Sequence, residues 1–575
     1  MGTQEAEVLA VVQDPTAIWS DHIQRAVGKF LKTAVVIDNQ PYIKESYRAA
    51  VNGEQIRSDS GLGEDIVALV EPSEQAPQAG VHDLDLRKVS DVFAERGVAC
   101  AFVLPDDAVN DDDAKKNRAL CAARASDIVV IDWYLKRQDA SLTLQILKEV
   151  AESDCQENGR MRLICVYTGE PLDNNIFEDV KGHLAQGGLD LQNVDDVKFC
   201  AVKDGTLVVL LNKEAVPAEQ LPGELIRLFS RLADGLIPAF ALAAVGAIRK
   251  NTHHMLTRFG KALDSAYVAN RLITNPPGDV AELMRELLVA ECDNALGLDR
   301  IADDYLEYES ISKWLDKSEG GFDSKSYEAK VGGAKINVSM GRDTLNGLLR
   351  YGLSDSGITL DGEKRIGFPE FHRGKISEVL AGDKTKARRA ENEFSRLVSF
   401  RREAFGLSTS LISPHWKPSL TTGTVLRYQD GDEFRYLMCF TPACDALRLD
   451  APRPFVFLEG VERSKPYNMV MKVEGDRSIG LHFDKKYPVV RTFLFSPDKE
   501  TQRVRGERKD TPGQPSCFSF TSLEKDAREF TWLGEIRYGR ASSEMAALAN
   551  VWMRIGVIDS EYLRLAGREH FSFED

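Results

Sequence analysis

Long apolar runs, paired cysteines and surplus positive charge are all scarce in this chain, and each shortage excludes something. The stretch "FALAAVGAI" stops after nine residues, well short of the ~20 that a membrane-spanning helix needs. The start of the sequence has no basic segment followed by an apolar one, so no secretory leader is expected and the predicted location is the cytoplasm. Nine cysteines are scattered without a single C-x-x-C pair, a pattern that predicts reduced thiols rather than disulfides or a zinc knuckle. A net charge of −16 argues against a general nucleic-acid binder, although a local basic face remains compatible with it. Internal repeats and long low-complexity tracts are lacking too.

What remains is ordinary globular material. Of the 575 residues, 43% are hydrophobic and 28% charged, and a chain of this length predicts two to four domains. Residues 1–29 read as an amino-terminal helical extension. From about 30 to 235, short runs rich in Val, Ile and aromatics alternate with amphipathic stretches. The runs are "TAVVID" (33–38), "ACAFVLP" (99–105), "DIVVID" (127–132), "RLICVYT" (162–168) and "VKFCAVK" (197–203). Five such runs separated by helical patterns predict an α/β fold, a doubly wound parallel five-stranded sheet covered on both faces. The polar stretch from about 42 to 83, with "SDSGLGED" and "EPSEQAPQAG", reads as an insertion of turns and loop.

From 236 to 410 the pattern predicts an all-α region. One long helix is expected to start near Pro238 and run through "LDSAYVANRLI" until "NPPGD" breaks it, and a strongly basic helix is expected over 384–405. From 411 to 575 the hairpin "GTVLRYQDGDEFRYLMCFT" and further short strands predict a small β-barrel-like α+β domain, closed by an amphipathic helix in "SSEMAALANVWMRIG".

In an open parallel sheet, ligands bind where the strands end and their order reverses. Asp38, Asp132, Thr168 and Lys203 finish the first, third, fourth and fifth predicted strands. Acid, acid, hydroxyl and lysine form a coherent set for phosphoryl chemistry. A carboxylate attacks phosphorus only when the charge of both partners is neutralised, which a divalent cation and an ammonium can do together.

In "VVIDN", "DIVVIDWYL", "VYTGE" and "AVKDG" the chain resembles a response-regulator receiver domain over roughly residues 30 to 235, a flavodoxin-like fold. The resemblance implies that Asp132 is the phospho-acceptor and that Asp38, Asp132 and the backbone carbonyl of Tyr134 ligate magnesium. It gives Thr168 the switching hydroxyl and Lys203 the phosphate-pairing ammonium. Three positions depart from the pattern. Asn39 stands where a second acid is usual, which weakens magnesium binding; Asp204 stands where proline usually follows the lysine; and Cys200 occupies the place of an aromatic reporter.

Weaker signals lie further on. Cys444 and Asp445 in "CFTPACDALRL" could form a nucleophilic or metal pair, against the simpler reading of a buried thiol and a turn-capping carboxylate; Cys439 has no obvious partner. Asp323, Glu328 and Lys330 fit a metal-nuclease spacing, a short pattern that chance produces often. His253 and His254 are adjacent on a helix and point about 100° apart, so they read as surface residues. The basic helix interleaves acids at helical spacing, which favours a solvated or partner-facing surface over nucleic acid.

The whole chain, through "WLGEIRYGRASSEMAALANVWMRIGV" and "TPACD", also resembles large receiver-like proteins of bacterial conflict and anti-phage loci. That resemblance implies a partner of the GHKL-type ATPase or histidine-kinase class, with homo-oligomerisation as a further possibility and no membrane partner. The expectation is a regulatory or interaction protein rather than an enzyme. Its rivals are a receiver-regulated nuclease or hydrolase with activity in the C-terminal half, and a scaffold built on an unphosphorylated pseudo-receiver.

Overall fold

The structure is a computed structural model. It describes residues 14–552 apart from 40, 43–83, 105–111, 137, 158, 204, 275–278, 319–325, 332–333, 340, 353–357, 361–363, 367–375, 407–415, 510–516 and 526. Most of the expected insertion and all of 1–13 therefore lie outside the described residues. The chain divides into two compact units, residues 1–261 with 286–319, and residues 262–285 with 320–575.

In the first unit the elements run α1 (Pro15–Phe30), β1 (Thr33–Ile37), α2 (Leu86–Glu95), β2 (Ala99–Val103), α3 (Asp112–Ala125), β3 (Ile128–Asp132), α4 (Ser141–Gln156), β4 (Arg162–Thr168), α5 (Asn174–Gln186), β5 (Gln192–Asn193), β6 (Cys200–Lys203), β7 (Thr206–Asn212), α6 (Leu221–Phe229) and α7 (Leu236–Lys250). The seven-stranded sheet has the order β2-β1-β3-β4-β7-β6-β5. Every residue of β3 and β4 is buried, which explains why "IVVID" and "RLICVYT" are nearly continuous apolar runs: helices cover both faces. One face packs under α1, α2, α6 and α7 through Trp19, Val27, Phe93, Leu225, Phe229 and Leu242. The other packs under α3, α4 and α5 through Leu120, Ile146, Leu147, Phe177, Val180 and Leu184.

One strand assignment needs correction. The fifth parallel strand is not "VKFCAVK" but β7, "TLVVLLN", which pairs in parallel with β4 from Arg162↔Thr206 to Thr168↔Asn212. Residues 200–203 form β6, which returns antiparallel along β7. The sheet is therefore mixed, with a five-stranded parallel core and an antiparallel hairpin along one side.

The helical stretch that follows differs from expectation at three places. The helix from Pro238 is not continuous: α7 ends at Lys250, where the Asn251 amide donates to the Ala247 carbonyl at 2.9 Å, a local bond that competes with further helix. Shorter pieces lead to α8 (Asp264–Ile273), α9 (Asp279–Leu298), α10 (Ile301–Leu306) and α11 (Tyr308–Lys317). The region is also not purely helical. Beside α12 (Arg342–Tyr351) it holds two antiparallel ladders, β8 (Ser326–Val331) with β9 (Ala334–Ser339), and β10 (Ile358–Leu360) with β11 (Lys364–Ile366).

The basic helix α13 (Lys384–Ser399) stops early, because Phe400 buries its ring in the core of the second unit and starts β12 (Phe400–Glu403). There β12 joins a ten-stranded sheet with β13 (Thr424–Asp430), β14 (Glu433–Cys439), β15 (Arg453–Glu462), β16 (Met469–Val473), β17 (Arg477–Phe483), β18 (Val489–Phe495), β19 (Glu507–Lys509), β20 (Cys517–Thr521) and β21 (Glu529–Ile536). Its main path is β16-β17-β15-β14-β13-β21-β20-β19, with β12 on β21 and β18 on β15. Every pairing is antiparallel, so the expected barrel is an antiparallel half-barrel. Aromatic residues fill one face, among them Phe455, Phe457, Phe493, Phe495, Phe530 and Trp532. Helix α14 (Tyr538–Trp552) follows the last strand.

Candidate functional site

The parallel strands β1, β3, β4 and β7 all end on the same rim of their sheet. Asp38 follows β1, Asp132 closes β3, Thr168 closes β4, and Lys213 follows β7. Parallel register fixes this convergence, since Ile37 lies opposite Ile131 and Thr168 opposite Asn212.

Lys213 holds the site together. Its Nζ lies 2.8 Å from Asp38 Oδ2 and 2.9 Å from Asp132 Oδ1, and all three side chains are at least nine-tenths buried. The second Asp132 oxygen, Oδ2, accepts from the Tyr134 backbone N–H at 3.1 Å. Thr143 at the start of α4 donates its hydroxyl to the Asp132 carbonyl at 2.9 Å, which pins the chain around the acid.

Thr168 is buried, and its hydroxyl oxygen accepts from the Glu170 N–H at 3.0 Å, while its carbonyl accepts from the Lys213 N–H at 2.8 Å. Asn212 fastens the two loops together. Its amide donates to the Glu170 carbonyl at 2.9 Å, and its Oδ1 accepts from the N–H groups of Glu214 and Ala215 at 2.9 and 3.1 Å. Tyr167 adds another tie, donating its phenol to the Val216 carbonyl at 2.6 Å.

Electrostatics follow from that enclosure. Burial pushes the Asp132 carboxyl above its ordinary range; the Lys213 ammonium opposes this, and the neighbouring Asp38 charge adds to it. For Lys213 burial pulls the other way, yet the two carboxylates outweigh it and hold the ammonium above its usual value. Among the described residues the rim sets one ammonium between two acids, which suits a ligand that brings positive charge or an anion that arrives with a cation.

Lys203 lies elsewhere. It pairs with Thr206, and Thr206 lies opposite Arg162, the first residue of β4. Lys203 is thus on the opposite rim, six residues along β4 from Thr168, or about 20 Å. An antiparallel strand delivers its last residue to the rim where its neighbours begin, so Lys203 is corrected to Lys213 as the lysine of the cluster. Cys200 sits on the same antiparallel strand, a buried thiol that desolvation raises to about 11. The phenol beside the lysine belongs instead to Tyr167 on β4, with Nζ of Lys213 5.8 Å from its ring centre.

Asp38 and Asp132 are the carboxylates that could hold a divalent cation. Asn39 adds no third acid, and no group of three or more His, Cys, Asp or Glu arranged for a metal occurs among the described residues. Two carboxylates nonetheless fit magnesium, which keeps several waters and takes one or two protein carboxylates.

Residues 30–218 match the Response receiver domain family. No curated protein and no solved structure matches the chain. The receiver domain covers the N-terminal third, and its matched span runs past Lys213, so the lysine that converges on the acids lies inside it. Such a domain supports a response-regulator-like regulatory role.

The remaining candidates fall outside this cluster. His253 and His254 are both exposed on a short helix, their rings 5.6 Å apart edge to face. Asp323 and the side chains of Glu328 and Lys330 lie outside the described residues. In α13, Arg396 is turned inward: it makes a two-pronged pair with Glu403, both contacts at 2.9 Å, and meets Glu393 at 2.8 Å. That arginine is spent on the fold. Cys439 is buried, whereas Cys444, for which a buried thiol was the simpler expectation, is exposed. Among the described residues no single helix is long and apolar enough to cross a membrane.

Proposed function

We propose that this chain is a phosphorylation-responsive regulator in which Asp132 accepts a phosphoryl group and the receiver passes the change to its own flanking helices. The observation that carries this reading is the buried ammonium of Lys213 bridging Asp38 and Asp132 on the carboxyl rim. A carboxylate oxygen of Asp132 attacks phosphorus, an acyl phosphate forms, and the donor leaves with the bonding pair, as acetate from acetyl phosphate or as imidazole from a phosphohistidine. Magnesium held by Asp38 and Asp132 would supply neutralisation of the phosphate charge.

The route outward is short. A phosphoryl group at Asp132 competes for Lys213 and for the Thr168 hydroxyl, and both adjoin the segment 212–220 through Asn212 and Tyr167. That segment leads into α6. The apolar face of α6 is buried with α1 and α7, and Phe229 stacks on Phe30 at 6.0 Å. The surface a switching domain would offer to a partner is thus largely occupied by this chain's own helices, which supports an intramolecular output. A GHKL-type ATPase or histidine kinase as phosphoryl donor, and a setting in bacterial anti-phage defence, rest on the whole-chain resemblance.

The test is incubation of the full chain with acetyl phosphate and magnesium, read by intact mass. Wild type and Lys203→Ala gain one phosphoryl group, while Asp132→Ala gains none and Lys213→Ala little. Equal labelling of Asp132→Ala, or no labelling of wild type together with no thermal shift in beryllofluoride, would overturn the proposal.

A further inference from the structure

The second unit contains a cavity of about 590 Å³ between the half-barrel and α14, well away in sequence from the receiver. Such a volume is within the range of small-molecule sites. Phe440, Leu447, Val456 and Val490 line it from the sheet side, and Met545 and Leu548, three residues apart, line it from one face of α14. The helix is anchored one turn nearer its start: Ala541 is buried in the core, and Glu544 pairs with Lys485 and with Arg540. These contacts fix the helix against the sheet without using Met545 or Leu548.

Polar groups gather at the edge. Arg448 and Arg453 both line the cavity and both are exposed, as are Cys444 and Asp445, whose thiol and carboxylate lie 3.5 Å apart. Arg448 adopts φ +58°, a left-handed conformation unusual for a residue with a side chain. Its surroundings impose this: the Asp445 N–H donates to the Pro442 carbonyl before it, and the Leu449 N–H to the Gln502 carbonyl after it. Backbone strain of that kind collects at ligand sites. Hydrogen-bonding groups that could read a nucleobase edge are few in the wall, and the Thr441 hydroxyl already accepts from the Val456 N–H at 2.9 Å.

We infer that this cavity binds a small amphiphilic carboxylate, an acyl chain bearing one acid group, with its apolar body against Leu447, Val490 and Leu548 and its carboxylate at Arg448 and Arg453. The apolar wall supplies affinity by area removed from water, and the guanidinium groups fix the orientation. Cys444 then sits at the edge that the ligand covers.

The thiol makes the test simple. The full chain is alkylated with iodoacetamide, with decanoate as the probe ligand, and each cysteine is followed by peptide mass spectrometry. Cys121 and Cys155, exposed in the first unit, serve as internal references. Decanoate at about ten times its dissociation constant should slow alkylation of Cys444 roughly tenfold and leave the two references unchanged. Decanol should protect far less, and ATP, an anion without an apolar body, not at all. Arg453→Gln, a surface change, should lose most of the protection by decanoate, and Leu548→Trp, which fills the cavity, should lose it too. Absence of protection, equal protection by decanol, protection by ATP, or full protection in Arg453→Gln would each overturn the assignment.

Discussion

Replacing Lys213 by alanine removes the cation that lies 2.8 Å from Asp38 and 2.9 Å from Asp132, and leaves both acids buried. Breaking a buried pair by deleting one partner costs about 3–5 kcal/mol, because the remaining charge is neither paired nor solvated. For a domain of this size that lowers Tm by roughly 10 °C. The loss should also become dependent on pH in a definite direction. Asp132 already has a carboxyl raised above its unfolded value, chiefly by burial, and removal of the ammonium raises it further. A folded-state value above the unfolded one means that the folded state binds protons more tightly, so the variant regains stability as pH falls through the raised value and loses it as pH rises. Urea unfolding followed by the fluorescence of buried Trp133, next to Asp132, reads this directly. Lys203→Ala is the matched control, half-buried on the other rim, and should stay within about 0.5 kcal/mol of wild type. Equal losses in the two variants, or a Lys213→Ala loss below about 1 kcal/mol that does not change with pH, would refute the reasoning.

Two further outcomes follow from buried ionisable groups. His22 on α1 lies against Trp19 and Tyr305, with Lys313, Arg25 and Asp304 nearby, and burial lowers its value from 6.5 to about 4. Folding then favours the neutral ring, so stability falls as pH drops from 6.5 towards 4, by up to about 3 kcal/mol; His22→Phe should flatten that part of the stability–pH curve relative to wild type. In the second unit, Arg396→Lys cannot reproduce the fork onto Glu403 and should lower the midpoint of urea unfolding, with Arg396→Ala costing about 3–5 kcal/mol, whereas Arg388→Ala on the exposed side of α13 should leave it unchanged.

How far the sequence could be read depended on what fixes each element. β1, β3 and β4 were legible because strands buried on both faces must be short apolar runs, and their terminal acids and threonine stand out against that background. The lysine is ambiguous in the sequence because of two strand-like runs: 197–203 ends at Lys203, and 206–212 is followed directly by Lys213. The dipeptide Asp204–Gly205 between them is a strong hairpin signal, and Gly205 has φ +90°. A hairpin makes its two strands antiparallel, so only one of them could deliver a lysine to the rim of Asp132. The uncharged run "TLVVLL", with Thr206, Val208 and Val209 of β-favouring type, pointed to the second. Other errors arose from tertiary contacts that no local pattern encodes. The inward turn of Arg396 depends on Glu403 from the following strand, and the exposed place of Cys444 depends on a cavity shared with residues a hundred positions later.

The receiver's family boundaries and its folding boundaries do not coincide. A fragment cut at residues 30 and 218 would keep every strand of the sheet and the four acid, hydroxyl and amine groups of the rim. It would also strip α6, α7 and nearly all of α1 from one side, leaving only α2 over the face that holds Ala34, Val36, Val130, Cys165 and Val209. Such a fragment should aggregate rather than report on the switch, so the smallest piece worth isolating begins before α1 and carries the helices past α7.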